Sequence, residues 1–385
     1  MILKAYKYRL NPTLEQCVLI DKHIGACRFI YNLALETKQI AYASMSVNLS
    51  CFDLMRQLTQ LKTECEWLKE INSQSLQQSI THLDTAYTNF FKGQGEFPKF
   101  KSKRKSSQSF NIPQSVSLKG NKLIIPKFKR GIDIVLHREF EGKMKQATIS
   151  KTPTGKYFAS ILVETVDNSI PKTKVNAQTT LGIDLGIKDF AITSNGEVFE
   201  NPKLLKKSMS KLKFVQHKFS RNKGKRTQHK LALLHEKVAN QRKDFLHKVS
   251  KKLIVENQTI ALETLKVKNM VKNHNLAQSI SDASWGTFVT MLEYKAEWYG
   301  VNIIRIGTFE PSSKMCTCGS INKELKLSDR VWTCKSCHTT HDRDILAANN
   351  IKKFALRNYV SGTDTKTRGE LPTLVGVLTR EAATL

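Results

Sequence analysis

Asp184 lies in LGIDLG (181–186), a carboxylate set among aliphatic residues and glycines. An apolar alternating segment buries at least one face, so a charge placed in it must find a partner or give up its charge. Two further acids share this situation. Glu263 ends the apolar run IALE, and Asp344 opens the helical pattern DILAANNI, one turn before Ala347 and Ala348. Singly, each has an ordinary reading as a turn residue, an exposed strand residue or a helix N-cap. Together they fall on a first strand, a later strand and a closing helix of a β-β-β-α-β-α order, and this arrangement limits the possible folds more than composition does.

An RNase H-like fold gathers its metal-binding acids on those same elements. Three carboxylates at one point cannot all stay ionised without compensating positive charge, which makes divalent cations their natural partners. Two Mg²⁺ or Mn²⁺ ions about 3.5–4 Å apart activate a water and stabilise the leaving oxygen of a phosphodiester. Gly182 and Gly186 flank Asp184 and two alanines follow Asp344, leaving room for a phosphate backbone.

The charge balance agrees with such a substrate. The 385 residues carry 62 Lys and Arg against 33 Asp and Glu, a net +29, while 40% remain apolar. A disordered acidic chain is excluded, and a folded protein with a polyanionic partner is implied. Between Lys203 and Lys252 stand seventeen basic residues against two acids, Glu236 and Asp244, so +15 of the +29 lies in about one-eighth of the chain. Such a run is ordinarily a solvated face, but its self-repulsion argues for phosphate contacts, with Lys203, Lys206, Lys207 and Arg221 as candidates. A second basic stretch runs from Lys99 to Lys105, where Phe97, Phe100 and Phe110 interleave with the charges. Lys99, Lys101, Lys103 and Arg104 are candidates there, because aromatic residues suit base stacking better than mere solvation.

Eight cysteines divide into two groups. Cys17, Cys27, Cys51 and Cys65 are scattered, whereas Cys316, Cys318, Cys334 and Cys337 lie within 22 residues. The second group resembles a zinc ribbon and is better suited to a structural Zn²⁺ than to a redox pair. Its first pair is C-x-C instead of C-x-x-C, so His338 or His341 could replace a cysteine. No apolar run reaches the length of a membrane span and the first ten residues lack an apolar signal core, which predicts a cytoplasmic protein with no membrane partner.

Residues 3–10 read as a strand, followed by Asn11 as N-cap and Pro12 at the first helical position. Helical spacing then continues to about residue 90, enough for four helices. Residues 115–165 alternate in short runs, and the sheet or small barrel they imply would include the first strand, making the helical block an insertion. A polar linker follows (167–178), then a three-strand meander, a long basic helical stretch (202–252), the strand TIALET, a polar segment to about 280, a helix from Trp285 to Tyr299, the strand NIIRIG and a last helix over 344–357. The expected domains are therefore residues 1–12 with 106–170, the insert 13–105, the nuclease 171–309, the ribbon 310–340, the closing helix 341–357 and a loosely ordered tail, 358–385.

Seven separated motifs, in order, resemble the TnpB (OrfB) family of insertion-sequence proteins related to the type V CRISPR effectors. They are KAYKYRLNPTLEQ, GACRFIYNLAL, FPKFKSKR, LGIDLGIKDFA, ALETLKVKNM, PSSKMCTCG and CKSCHTTHDRDILAANNI. The resemblance implies a transposon-encoded, RNA-guided DNA endonuclease. Its architecture would be α/β multidomain, with a wedge β-barrel carrying a helical recognition insert and a split RuvC nuclease holding an inserted zinc ribbon. It further implies catalytic Asp184, Glu263 and Asp344 holding Mg²⁺, zinc on Cys316, Cys318, Cys334 and Cys337, a guide RNA made from the transposon end, and a double-stranded DNA target. Two departures stand out: the short first cysteine pair, and Leu346 where the family's D-x-N-A-A pattern has Asn. The alternatives are an RNase H-type transposase, whose acids generally run Asp, Asp, Glu instead of the Asp, Glu, Asp found here, and a non-catalytic nucleic-acid-binding regulator of transposition.

Overall fold

The computed structural model describes residues 2–104, 107–165, 170–326 and 328–360. Lys105 and the tail from 361 onward, both included in the expectations above, lie outside the described residues. The chain forms two compact units that divide after residue 167.

The first unit contains β1 (Ile2–Asn11), α1 (Leu14–Met45), α2 (Cys51–Glu64), a 3₁₀ turn (Glu66–Glu70), α3 (Ser73–Phe91), β2 (Gln108–Ile112), β3 (Ser117–Lys119), β4 (Lys122–Ile124), β5 (Ile132–Val135), β6 (Lys143–Lys151) and β7 (Tyr157–Thr165). The first helix starts later than the Asn11-Pro12 signal suggests. Asn11 is held in the sheet opposite Asp133, and Thr13 becomes the N-cap. Its hydroxyl accepts from the Gln16 amide at 3.3 Å, and the Gln16 side chain accepts from the Thr13 amide at 3.0 Å. This reciprocal pair satisfies two orphan donors that a proline could not.

Where four helices were expected, three α-helices and one short 3₁₀ turn occupy the interval between β1 and β2. The strands form one antiparallel sheet in the order β2-β6-β7-β1-β5-β4-β3. Among the described residues β2 and β3 stand at its two ends without pairing, so the expected barrel is not closed by hydrogen bonds. Tyr8 and Leu10 of β1 share one buried cluster with Ile20 of α1 and Leu76 of α3.

The second unit holds β8 (Thr180–Leu185), β9 (Asp189–Thr193), β10 (Val198–Glu200), α4 (Leu204–Arg221), α5 (Lys225–Glu256), β11 (Thr259–Glu263), α6 (Val267–Met270), α7 (His274–Ala283), α8 (Trp285–Tyr299), β12 (Asn302–Ile306), β13 (Val331–Thr333), β14 (Thr340–Asp342) and α9 (Arg343–Val360). Its five-stranded sheet runs β10-β9-β8-β11-β12, with β8, β11 and β12 mutually parallel and β9 antiparallel to both β8 and β10. The long basic stretch is a pair of packed helices, α4 and α5, separated by a break at 222–224. The stretch read as merely polar before Trp285 contains α6 and α7.

Alternation along the central strands assigns the two faces of this sheet. Leu181, Ile183, Ile260 and Leu262 join the cluster built with α5 and α8. Ala261 lies in the opposite cluster with Ile351 and Phe354 of α9. Gly182 is where that helix comes closest: a Cβ there would stand 2.0 Å from the Ala348 carbonyl oxygen and 2.8 Å from the Lys352 amide. Only glycine admits α9 at this distance.

Candidate active site and metal centre

Asp184 and Glu263 follow directly from this geometry. The ladder between β8 and β11 ends at Ile183 and Leu262, and each acid is the next residue along its strand. Both therefore sit at the carboxyl ends of parallel strands. Strand alternation turns Asp184 to the same face as Gly182, and Glu263 to the same face as Ala261, which is the face covered by α9. Asp344 lies in the first turn of α9, one turn before Ala348. It is not the cap of that helix, since Asp342 Oδ1 accepts from the amides of Asp344 and Ile345, each at 3.0 Å. Asp344 thus keeps its carboxylate for other partners.

The electrostatics tie the three acids together. Burial pushes Asp184 up to about 7, the charges on Glu263 and Asp344 push the same way, and Arg343 and Arg330 oppose them. Burial also raises Glu263, against a hydrogen bond from the Ser312 hydroxyl at 3.2 Å. Asp344 is held by Arg330, whose Nη1 lies 3.1 and 2.8 Å from its two oxygens. An all-oxygen donor set whose members repel one another fits a hard divalent cation.

Three contributing residues were missed in the sequence: Ser312, Arg330 and Asn350. Asn350 is buried on α9 and donates through Nδ2 to the carbonyls of Ser312 (2.7 Å) and Met315 (2.6 Å). It pins the segment that orients Glu263. Asn350 shows as a polar residue on the apolar face of ANNIKKFAL, Ser312 falls within the motif PSSKMCTCG without marking its role, and Arg330 carries no signal.

The four cysteines converge more tightly. Their sulfurs lie within 4.8 Å of one another, and they are the one group of three or more metal-type side chains gathered this closely among the described residues. Cys316 and Cys337 are 3.4 Å apart and Cys318 and Cys334 3.8 Å. A zinc tetrathiolate with bonds of about 2.3 Å has tetrahedral edges of roughly 3.8 Å, so the set fits Zn²⁺ and the short first pair still closes. The amides of Cys337 and Ser336 pull Cys334 down to about 6. His341 Nε2 lies 3.0 Å from Cys316 Sγ, whereas His338 is not drawn into the cluster. Leu346 packs with Cys316, Trp332 and Cys334, so it seats the thiol cluster on α9.

Most of the candidate phosphate contacts face solvent. Lys203, Lys206, Lys207 and Arg221 are exposed, with Lys203 as the residue preceding α4 and not part of it. Lys99, Lys103 and Arg104 are exposed too, and Lys99 pairs with Glu96 at 2.6 Å. Lys101 differs from the expectation of an open grip. Its ammonium lies 3.8 Å from the centre of the Tyr31 ring, its backbone amide donates to Asn32, and burial lowers its pKa.

Comparison with known proteins adds the lineage. An OrfB family of IS605, described as "Probable transposase", matches residues 160–274, "Cas12f1-like, TNB domain" matches 285–351, and "Helix-turn-helix domain" matches 1–46, which here form β1 and the single helix α1. A Streptomyces pristinaespiralis protein named "Putative RNA-guided DNA endonuclease" is 37% identical over 372 residues, covering 94% of this chain and 91% of its own. The chain belongs to the TnpB (OrfB) family. A second TnpB-type relative, "Putative RNA-guided DNA endonuclease InsQ" of Escherichia coli K12, is 32% identical with 91% of each chain covered. The fold is similar to that of a chain in the "Cas12f1-sgRNA-target DNA complex", with a TM-score of 0.57, 13% identity, and 88% of this chain and 83% of that one covered.

Proposed function

We propose that this chain is a transposon-encoded, RNA-guided endonuclease that cuts phosphodiester bonds in double-stranded DNA. The observation that carries the proposal is that Asp184 and Glu263 end adjoining parallel strands on the face covered by the helix of Asp344, in a chain of this family. Divalent cations, Mg²⁺ or Mn²⁺, held by Asp184, Glu263 and Asp344 would supply Lewis-acid activation of water and neutralise charge at the phosphodiester. The chain's own residues prepare the site. Ser312 fixes one oxygen of Glu263, Asn350 holds Ser312's backbone, and Gly182 lets α9 bring Asp344 to the sheet. Arg330 offsets the charge of Asp344.

In this reading a guide RNA from the transposon end reads sequence by base pairing, and the protein holds backbone and shape. Lys99, Lys103, Arg104, Lys203, Lys206, Lys207 and Arg221 contact phosphates, while Lys101 shapes its loop from within. The first strand and the sheet form the wedge, α1–α3 the recognition insert, β8 onward the RuvC nuclease, and the four cysteines hold a structural Zn²⁺. The acid order Asp, Glu, Asp supports a nuclease over a strand-transferring transposase. The test is to purify the protein with its native flanking sequence, sequence the copurifying RNA and add duplex DNA matching it. Cutting that requires both the RNA and Mg²⁺ is expected; absence of RNA, or cutting that survives chelation, would overturn the proposal.

A further inference from the structure

Phe309 is 91% exposed, the highest value among the large apolar side chains described, yet it does not sit on a loose loop. Glu263 and Ile306 are paired neighbours on β11 and β12, and Thr264 Oγ1 donates to the Ile306 carbonyl at 2.7 Å, locking the two strand ends. Lys266 and Phe309 lie three residues beyond those partners, at the carboxyl edge that also carries Asp184 and Glu263. Between Phe309 and the acid site the chain is pinned twice: Glu310 accepts from Arg357 at 2.9 Å, and Ser312 donates to Glu263. The Lys266 ammonium lies 5.5 Å from the centre of the Phe309 ring, within cation–π range. A ring left in water keeps its apolar face free, and covering that face with a ligand would gain free energy.

We propose that Phe309 and Lys266 form a nucleotide platform at the rim of the acid site. The ring stacks an unpaired base beside the scissile phosphate, and the ammonium takes the neighbouring phosphate. The ligand class is single-stranded DNA, because only an unpaired base offers its flat face to a lone ring, and stacking of this kind tolerates any sequence. Charge complementarity favours it over a protein partner, since Lys266 would be the wrong neighbour for an apolar interface core. Phe309 is thus a positioning residue for the strand being cut, and the inference rests on the nuclease reading above.

The test uses the complex purified with its RNA and a matching duplex in which 2-aminopurine replaces one base at a time along each strand. Wild type is expected to quench the probe at one position near the cut. Phe309→Ala should lose that quenching and slow cutting by about tenfold, whereas Phe309→Tyr keeps both. Because the ring is already in solvent, Phe309→Ala does not threaten folding. Lys266→Ala should weaken binding and flatten its salt dependence while the quenching position stays unchanged. Equal quenching and cutting in wild type and Phe309→Ala would overturn the platform, as would quenching at no position in wild type. So would a Phe309→Ala effect confined to self-association in sedimentation. A wild-type complex that quenches but never cuts would sink the nuclease reading and leave the platform standing.

Discussion

The thiol set and the carboxylate set lie in the same unit, yet they are assembled on different terms. Four sulfurs gather within 4.8 Å of one another, with Cys334 accepting from the Ser336 amide at 3.4 Å. Asp184 carries the cost of standing near Glu263 and Asp344, and the fold sets a hydroxyl on Glu263 and a guanidinium on Asp344. A thiol set packed into a small core answers to structure, whereas a carboxylate set built from like charges carries a cost that a cation would relieve.

The strongest way to break this contrast is to remove the ions separately. Stripping zinc with a chelator, or Cys316→Ala, should unfold the ribbon and lower Tm by several degrees, because the cluster is the ribbon's main core. Withholding Mg²⁺ should lower Tm by much less, since an ion there would relieve charge on carboxylates that the fold already positions but would hold no core together. Calorimetry of the two depleted forms checks this, and equal Tm losses would erase the distinction. Next in size is Gly182→Ala. Its methyl meets the α9 backbone, so a loss of about 3 kcal/mol is expected in urea titration. Zinc content, measured by atomic absorption, should not change, because the thiols do not depend on that approach.

A third test is in pH. In the folded state Asp184 is raised to about 7 from the ordinary carboxylate value of 3.8. Below both values it is protonated in both states and costs nothing. As pH climbs through this window the unfolded chain releases the proton first, so stability falls and the full penalty is present above about 7. Metal-free Asp184→Asn should therefore be more stable than wild type at pH 8 and no more stable at pH 4. A difference that is flat with pH would mean the carboxylate is not strained.

Much of this was legible in the residues themselves. LGIDLG and IALE reveal strands by their apolar run, and the helix from Trp285 to Tyr299 begins and ends where its periodicity says. The cap at Thr13 was misread because the pairing of Asn11 with Asp133 is tertiary information. The helices α6 and α7 were hidden because the segment is rich in polar residues, with few apolar positions to mark a face. Ser312, Arg330 and Asn350 matter only through partners 14 to 49 positions away in sequence. Local propensity carries no trace of such pairings, and a single sequence shows neither the sheet's open ends nor the turning of Lys101 onto Tyr31.

The central claim is that Asp184, Glu263 and Asp344 act as one cation-holding, DNA-cutting site. It is tested most directly by comparing Mg²⁺-dependent cutting of a guide-matched duplex by wild type and Glu263→Ala, each carrying its copurified RNA. The account predicts a loss of more than about 100-fold in cutting with RNA and DNA binding unchanged, since a metal ligand is removed and no basic surface is touched. Cutting by Glu263→Ala at the wild-type rate would contradict it.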